Sequence, residues 1–385
     1  MRRFALALFL LLPHAAQAAE LDWREFPPLP DPAGVAGPFV GVHNDALIVA
    51  GGANFPEPVW DTEKAWHDAA RVLVRESADG ETRYRWVSGF RLERPIAYGV
   101  SASTSRGVVC AGGNDAAQTY AGAFLLRWNP DSETLERDPL PSLPEPVAYA
   151  AAAAIGDTVY VAGGAAGAEL ATATANFWSL DLAQPGSGGL AWRELPPWPG
   201  PPRAFAILAA QHNGEEDGLY LFSGRREDGD GEVEFLRDVY EYSPRRHQGR
   251  ADTAWRRVAD APRCVMAGTG LALGQSHIVV LGGADGSLFH QADTLRDAHP
   301  GFPKEALAYH TITGTWTSAG VMPANHVTTT AVRWGSDPVN APIIIPSGEI
   351  RPRVRSPRVW AVRPAQGGIP ADSMDKTANE EGELP

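Results

Sequence analysis

The sequence predicts an all-β chain folded as a six-bladed β-propeller, and three observations predict it. A small-residue doublet closes an apolar run six times, in LIVAGG, VVCAGG, VYVAGG, LYLFSG, IVVLGG and IIIPSG. Successive doublets lie 51 to 65 residues apart, the spacing of a repeat built from one four-stranded sheet. No long stretch carries helical periodicity; short β-branched and aromatic runs alternate instead with Gly, Asn, Asp and Pro turns.

Each repeat reads in the same order. A first strand ends in a polar turn, as in FVGVHND or AYGVSASTSRG, and the doublet strand follows. An aromatic-bearing third strand comes next (FLLRW, NFWSL, VYEYSP, LAYH, VWAV), then a fourth at or near Trp86, Trp192, Trp255 or Trp316, with Leu135 in that place in the second repeat. The double glycine stands where neighbouring backbones crowd, and Trp fills the wedge between sheets. The last repeat stops at VWAVRP without a Trp strand, whereas LDWREFPPLP near the N-terminus supplies one around Trp23. The N-terminal and C-terminal strands are therefore expected to pair in one blade, closing the ring without an edge strand.

The flanks divide the chain further. MRR, then the apolar FALALFLLLP and the small residues of AQA, read as a signal peptide over 1–18, with cleavage after Ala18. Residues 19–366 are assigned to the propeller and 367–385 to a disordered acidic tail. The expected product is exported, periplasmic or secreted, with no membrane span. The formal net charge of −13 becomes −15 when Arg2 and Arg3 leave, which disfavours nucleic acid as a partner. Two cysteines, Cys110 and Cys264, sit in apolar strand-like runs and read as small buried hydrophobes rather than a disulfide framework. EDGDGEVE misses the calcium-loop spacing, so no metal and no cofactor are expected.

Against this acidic background, IPSGEIRPRVRSPRVW gathers Arg351, Arg353, Arg355 and Arg358 behind Glu349. It reads either as a solvated basic hairpin or as a site for an anion with Glu349 moving a proton. Asn54 and Asn114 directly follow doublets and can face the channel or simply form turns. Arg94, Arg203 and Arg263 each adjoin a proline ahead of an innermost strand; they form either a basic ring at one channel mouth or ties between blades. Tyr98 is a candidate for stacking on a sugar or for packing between blades. His67, with Trp60 and Trp66, lies in an insertion over the first blade, placed to form a lid or to sit at the surface. His326 opens an innermost strand.

Three stretches carry a resemblance: AGVAGPFVGVHNDALIVAGGANFP, RPIAYGVSASTSRGVVCAGG and HVTTTAVRWGSDPVNAPIIIPSGEIRPRVRSPRVWAV. Together they resemble the kelch-repeat mutarotases of the N-acetylneuraminate epimerase type, in the order of the cyclically permuted subgroup. The resemblance implies an isomerase that interconverts anomers of an acidic sugar, without cofactor, in a kelch-type propeller. It places Glu349 where that family has its proposed proton acceptor and Arg355, six residues on, at the proposed partner arginine. It also implies a substrate site to which Arg94, Asn54, Tyr98, Asn114, Arg203 and Arg263 are candidates to contribute. LYLFSGRRED departs from the active blade by putting Arg225 where Glu349 stands. The alternative is a non-catalytic kelch propeller that binds carbohydrate or protein, which predicts Glu349 on the rim and more than ~10 Å from Arg355, beyond shared reach to one substrate.

Overall fold

Alternation of small inner residues with apolar doublet strands gives sheets that can pack face to face around an axis. In the computed structural model, which describes residues 21–365 apart from 79–80, 168, 184–188, 250–253 and 338–339, six four-stranded antiparallel sheets do this. The proposed leader and tail lie outside the described residues. Blade 1 runs Phe39–His43, Ala46–Ala50, Ala69–Ala78 and Glu81–Arg91 from the axis outward. Blade 2 comprises Val100–Thr104, Gly107–Ala111, Ala123–Asn129 and Thr134–Leu140, and blade 3 Ala151–Ile155, Thr158–Ala162, Phe177–Asp181 and Arg193–Glu194. Blade 4 follows with Ile207–His212, Asp217–Glu227, Val233–Tyr242 and Trp255–Val258. Blade 5 comprises Thr269–Leu273, His277–Leu281, Glu305–His310 and Thr315–Val321.

Blade 6 joins both ends of the chain. Val332–Arg333, Ile343–Pro346 and Val359–Pro364 are completed by Leu21–Phe26, whose Trp23 stands opposite Val362. Trp23 packs edge-on against Trp360 at 6.5 Å, and Phe26 is buried beside Tyr84 and Trp334. The ring is thus closed by hydrogen bonds between the two ends of the chain.

The wedge tryptophans do more than fill space. Trp86, Trp192, Trp255 and Trp316 each donate an indole N–H to a backbone carbonyl of the preceding blade's outer end, at Pro27, Pro141, Pro196 and Ala259. Each of these wholly or partly buried rings therefore has its polar edge satisfied, and the tie recurs in blades 1, 3, 4 and 5. Cys110 and Cys264 are buried free thiols.

The doublets end where blades nearly touch. A Cβ on Gly112 would sit 2.3 Å from the carbonyl oxygen of Val147 in the next blade, and the residue holds φ +65°. Blades 4 and 6 place Ser223 and Ser347 at this left-handed position (φ 58° and 54°). Their hydroxyls accept the N–H groups of Val265 and Val35 at 2.8 Å, so a cross-blade hydrogen bond offsets the strain of a non-glycine residue.

Candidate active site

Two concentric rings of backbone build one mouth of the channel. Gly37, Tyr98, Tyr149, Phe205, Ala267 and Thr328 precede the six innermost strands, and all adopt left-handed φ between 54° and 64°. The N–H of each donates to the carbonyl of its counterpart in the preceding blade at 2.6–2.8 Å, ending with Gly37 on Thr328, so six hydrogen bonds close a circle. Below it the channel, about 330 Å³, is lined by the inner strands; above it opens a cavity of about 670 Å³. Around the cavity floor, the residue after each doublet bridges back to the residue just before the circle: Ala53, Asn114, Ala165, Arg225, Ala284 and Glu349. The repeat thus offers six equivalent positions around the floor, four of which (Ala165, Arg225, Ala284 and Glu349) line the cavity. Three hold alanine, leaving room; the others hold Asn114, Arg225 and Glu349.

Glu349 begins a short hairpin, Glu349–Arg351 with Val354–Arg355, that rises over the cavity. Arg353 at its tip has φ 66° and donates its backbone N–H to Glu349 Oε1 at 3.0 Å. Arg355 returns with its Nη1 at 3.5 Å from Glu349 Oε1, and its side chain retains 3% exposure against 17% for Glu349. Arg355 also donates through Nη2 to the Tyr98 hydroxyl and through Nε to the Ala53 carbonyl, each at 3.4 Å. Burial opposes the Arg355 charge, yet Glu349 and Tyr98 outweigh it and hold its pKa above the ordinary value.

An aromatic arc lines the floor opposite. Tyr98, Tyr149 and Phe205 stack in sequence at 5.0 and 4.5 Å, occupying three of the six places in the backbone circle. The Lys64 ammonium lies 4.9 Å from the Tyr98 ring and the Arg225 guanidinium 4.5 Å from Phe205, so a cation caps each end. Burial lowers the pKa of both cations and raises that of both tyrosines. Lys64 comes from the insertion between Ala53–Asn54 and Ala65–Trp66, which also brings Phe55 and Trp60 over the site. Arg353 stacks on both of these rings, at 4.8 and 5.4 Å. The acids Glu169 and Asp293 are exposed at the rim, whereas Glu349 is half-buried. The cavity therefore combines sugar-sized volume, flat apolar faces, buried and half-buried cations, and two half-buried carboxylates, Glu349 and Asp285.

Comparison with known proteins places this arrangement. A family profile described as N-acetylneuraminate epimerase matches residues 140–300. The N-acetylneuraminate epimerase of Haemophilus influenzae (strain PittEE) is 28% identical over 240 residues, covering 56% of this chain and 57% of that protein. That of Pasteurella multocida (strain Pm70) is 27% identical over 267 residues, 64% of this chain and 62% of its own. Over part of its length this chain is similar to the N-acetylneuraminate epimerases. The match spans about three-fifths of the length of these relatives. A solved structure of YjhT superposes with a TM-score of 0.59 at 15% identity, covering 87% of this chain and 96% of that one, and so shares the propeller fold.

The epimerase resemblance singled out Glu349 and Arg355, and the structure brings them together inside the cavity rather than on its rim. Tyr98 also lines it. Asn114 stands in the ring and donates its amide to the Tyr149 hydroxyl at 2.9 Å, so it orients a lining residue. Four other candidates are corrected. Asn54 is buried against the Gly34 carbonyl and His67, outside the cavity, which also removes His67 from a lid role. Arg94 is exposed, lying over Tyr120 and beside Glu93. Arg203 is wholly buried in a bidentate pair with Asp238 and lies between Trp198 and Tyr240. Arg263 donates to the carbonyls of Cys264 and Glu305. Of the recurring Pro-adjacent arginines, Arg203 and Arg263 are ties within and between blades, whereas Arg94 lies at the surface. His326 is also buried, and burial lowers its pKa to about 4.

Sequence reading assigned no site role to Phe55, Lys64, Tyr149, Phe205 or Arg225. The signal for Arg225 was its place after a doublet, the same as that of Glu349. Tyr149 and Phe205 occupy the place of Tyr98 in the next two repeats. Arg351 is accounted for: it pairs with Asp297 at 3.0 Å and ties the hairpin to the blade 5 loop.

Proposed function

We propose that this protein is a mutarotase, an isomerase that interconverts the anomers of an acidic sugar such as N-acetylneuraminate. The observation that carries the reading is the Glu349–Arg355 pair, 3.5 Å apart, held within a cavity of about 670 Å³ beside an aromatic floor. The epimerase relatives support the same chemistry. Mutarotation requires one group to take the proton from the anomeric hydroxyl while the ring oxygen gains one. The ring then opens, the carbonyl rotates, and closure on its other face delivers the other anomer.

Glu349 is the base. Its Oε1 is positioned by the Arg353 N–H and stabilised as an anion by Arg355, leaving the rest of the carboxylate to the substrate. The Tyr98–Tyr149–Phe205 arc offers the faces on which a pyranose lays its C–H bonds. Positioned acid–base groups of this kind contribute about 10²–10⁴-fold. The proposed site of action is outside the cytoplasm, supported by the leader-like MRRFALALFLLLP and AQA. Saturation transfer between the anomeric signals of N-acetylneuraminate tests the activity. Exchange above the spontaneous rate is expected, and exchange at that rate alone rejects it.

A further inference from the structure

Within the acidic-sugar reading, the substrate's carboxylate needs a partner, and Arg355 is poorly placed to be it. Its three nitrogens already face Glu349, the Tyr98 hydroxyl and the Ala53 carbonyl. A carboxylate drawn to Arg355 would also compete with Glu349 for the same guanidinium. Lys64 presents a compact ammonium, but it sits at the far end of the aromatic arc, above Tyr98.

Arg225 differs from both. It follows the blade 4 doublet in the position that Glu349 takes in blade 6, and Ala284 of blade 5 stands between them. That alanine leaves open the space separating the two charges. The guanidinium lies between two rings, 4.5 Å from Phe205 and 4.9 Å from Phe289. Phe289 is braced in turn by Phe235 at 5.4 Å, which packs on Gly286. Rings on its faces leave the in-plane N–H edge as the direction in which Arg225 can bind. No carboxylate among the described residues forms an ion pair with it, and its buried Nε has no hydrogen-bond acceptor. A guanidinium fixed in plane, desolvated and unneutralised matches the two oxygens of a carboxylate.

We propose that Arg225 is the anchor for the substrate's carboxylate, and so the residue that makes this site select acidic over neutral sugars. In N-acetylneuraminate the carboxylate and the hydroxyl share the anomeric carbon, so a carboxylate held on Arg225 keeps that hydroxyl beside it, in the space over Ala284 that Glu349 also lines. The two ring positions divide the work: one binds the fixed charge and the other moves the proton.

The test pairs N-acetylneuraminate with its methyl ester, which lacks the charge. Binding of both is measured by titration calorimetry to the wild type, Arg225→Gln and Arg225→Lys, and anomer exchange is measured alongside. Arg225→Gln is expected to lose about 10- to 100-fold in affinity for the acid, the value of a charge-assisted contact. Its affinity for the ester should fall far less, so the acid-to-ester preference collapses. Arg225→Lys should retain part of that preference, because charge remains without the bidentate edge, and it decides the matter if the glutamine variant does not fold. An unchanged acid-to-ester ratio in both variants overturns the anchor. The reading beneath it fails separately: a wild type without anomer exchange whose acid preference still depends on Arg225 rejects the mutarotase and keeps the anchor. Exchange with unaltered KM in both variants keeps the mutarotase and rejects the anchor.

Discussion

The carboxylate of Glu349 and the guanidinium of Arg355, six residues apart in the chain, face one another at 3.5 Å across a hairpin whose tip N–H donates to the same oxygen. The pair is internal, since Arg355 is nearly sealed and Glu349 keeps one side toward the cavity. A base in this position is oriented and partly desolvated before substrate arrives. Glu349→Gln keeps the shape and hydrogen-bonding capacity but removes the proton acceptor. Anomer exchange should fall by about 10²–10⁴-fold, to or near the spontaneous rate, with substrate still bound. Line broadening of sugar signals in the variant checks binding; exchange at the wild-type rate would show that Glu349 is not the base.

Arg203 and Asp238 form another internal pair, and it is structural. Two parallel N–H···O contacts at 2.7 and 2.8 Å join them, and Arg203 has no exposed surface. Burial works to raise the Asp238 pKa, but hydrogen bonding and charge from Arg203 overcome it and the net shift is downward. A depressed carboxyl contributes stability that is fully present above its unfolded value of about 3.8 and is lost as pH falls through the folded value. Arg203→Met should therefore cost about 3–5 kcal/mol at neutral pH, by leaving an uncompensated charge. The loss should shrink as pH is lowered through the carboxyl range. Denaturant unfolding at neutral pH and in that acid range measures both, and a pH-independent difference would argue against the linkage.

The ring and its closure were legible in the sequence because they rest on local, repeated chemistry. Gly112–Gly113, Trp192 and the Trp23 segment each announce a position that every blade must fill. Glu349 and Arg355 were legible because one hairpin carries both. Arg94, Arg203 and Arg263 misled for a physical reason: a shared place in the repeat fixes the backbone path but not whether a carboxylate such as Asp238 is nearby to capture the side chain. Phe55 and Lys64 come from one insertion in blade 1 and Arg225 from the doublet strand of blade 4, brought together only by the ring. No spacing along the chain reports that Lys64 and Arg225 cap one aromatic stack.

Asp297, in a loop of blade 5, connects the blade 1 insertion to the blade 6 hairpin. Its side chain accepts from Trp60 Nε1 at 3.3 Å and pairs with Arg351 at 3.0 Å, while its carbonyl accepts from Arg351 at 2.6 Å. Blade 1, blade 5 and blade 6 thereby meet over the cavity. These contacts are exposed, so each contributes at most about 1 kcal/mol. Asp297→Ala should leave folding intact and raise KM by a few-fold, up to about fivefold, with kcat nearly constant, because it loosens the roof without touching Glu349. A large fall in kcat would instead place Asp297 in the chemistry.

Ring closure makes the sharpest prediction about stability. Leu21–Phe26 pairs along its full length with Val359–Pro364, and Phe26 enters the core beside Trp334. A chain starting at Pro27 would lose that core side chain, at a cost of about 3–5 kcal/mol by analogy with Phe→Ala substitutions. It would also expose the Val359–Pro364 strand as an unpaired edge, which invites association with another copy. A fall in Tm with concentration-dependent oligomers on size-exclusion chromatography is expected. A synthetic peptide covering residues 19–30, supplied in excess, should bind that edge by strand addition and restore much of the lost Tm. A monomeric truncated protein with unchanged Tm would show that blade 6 is stable with three strands and that the N-terminal segment does not hold the ring shut.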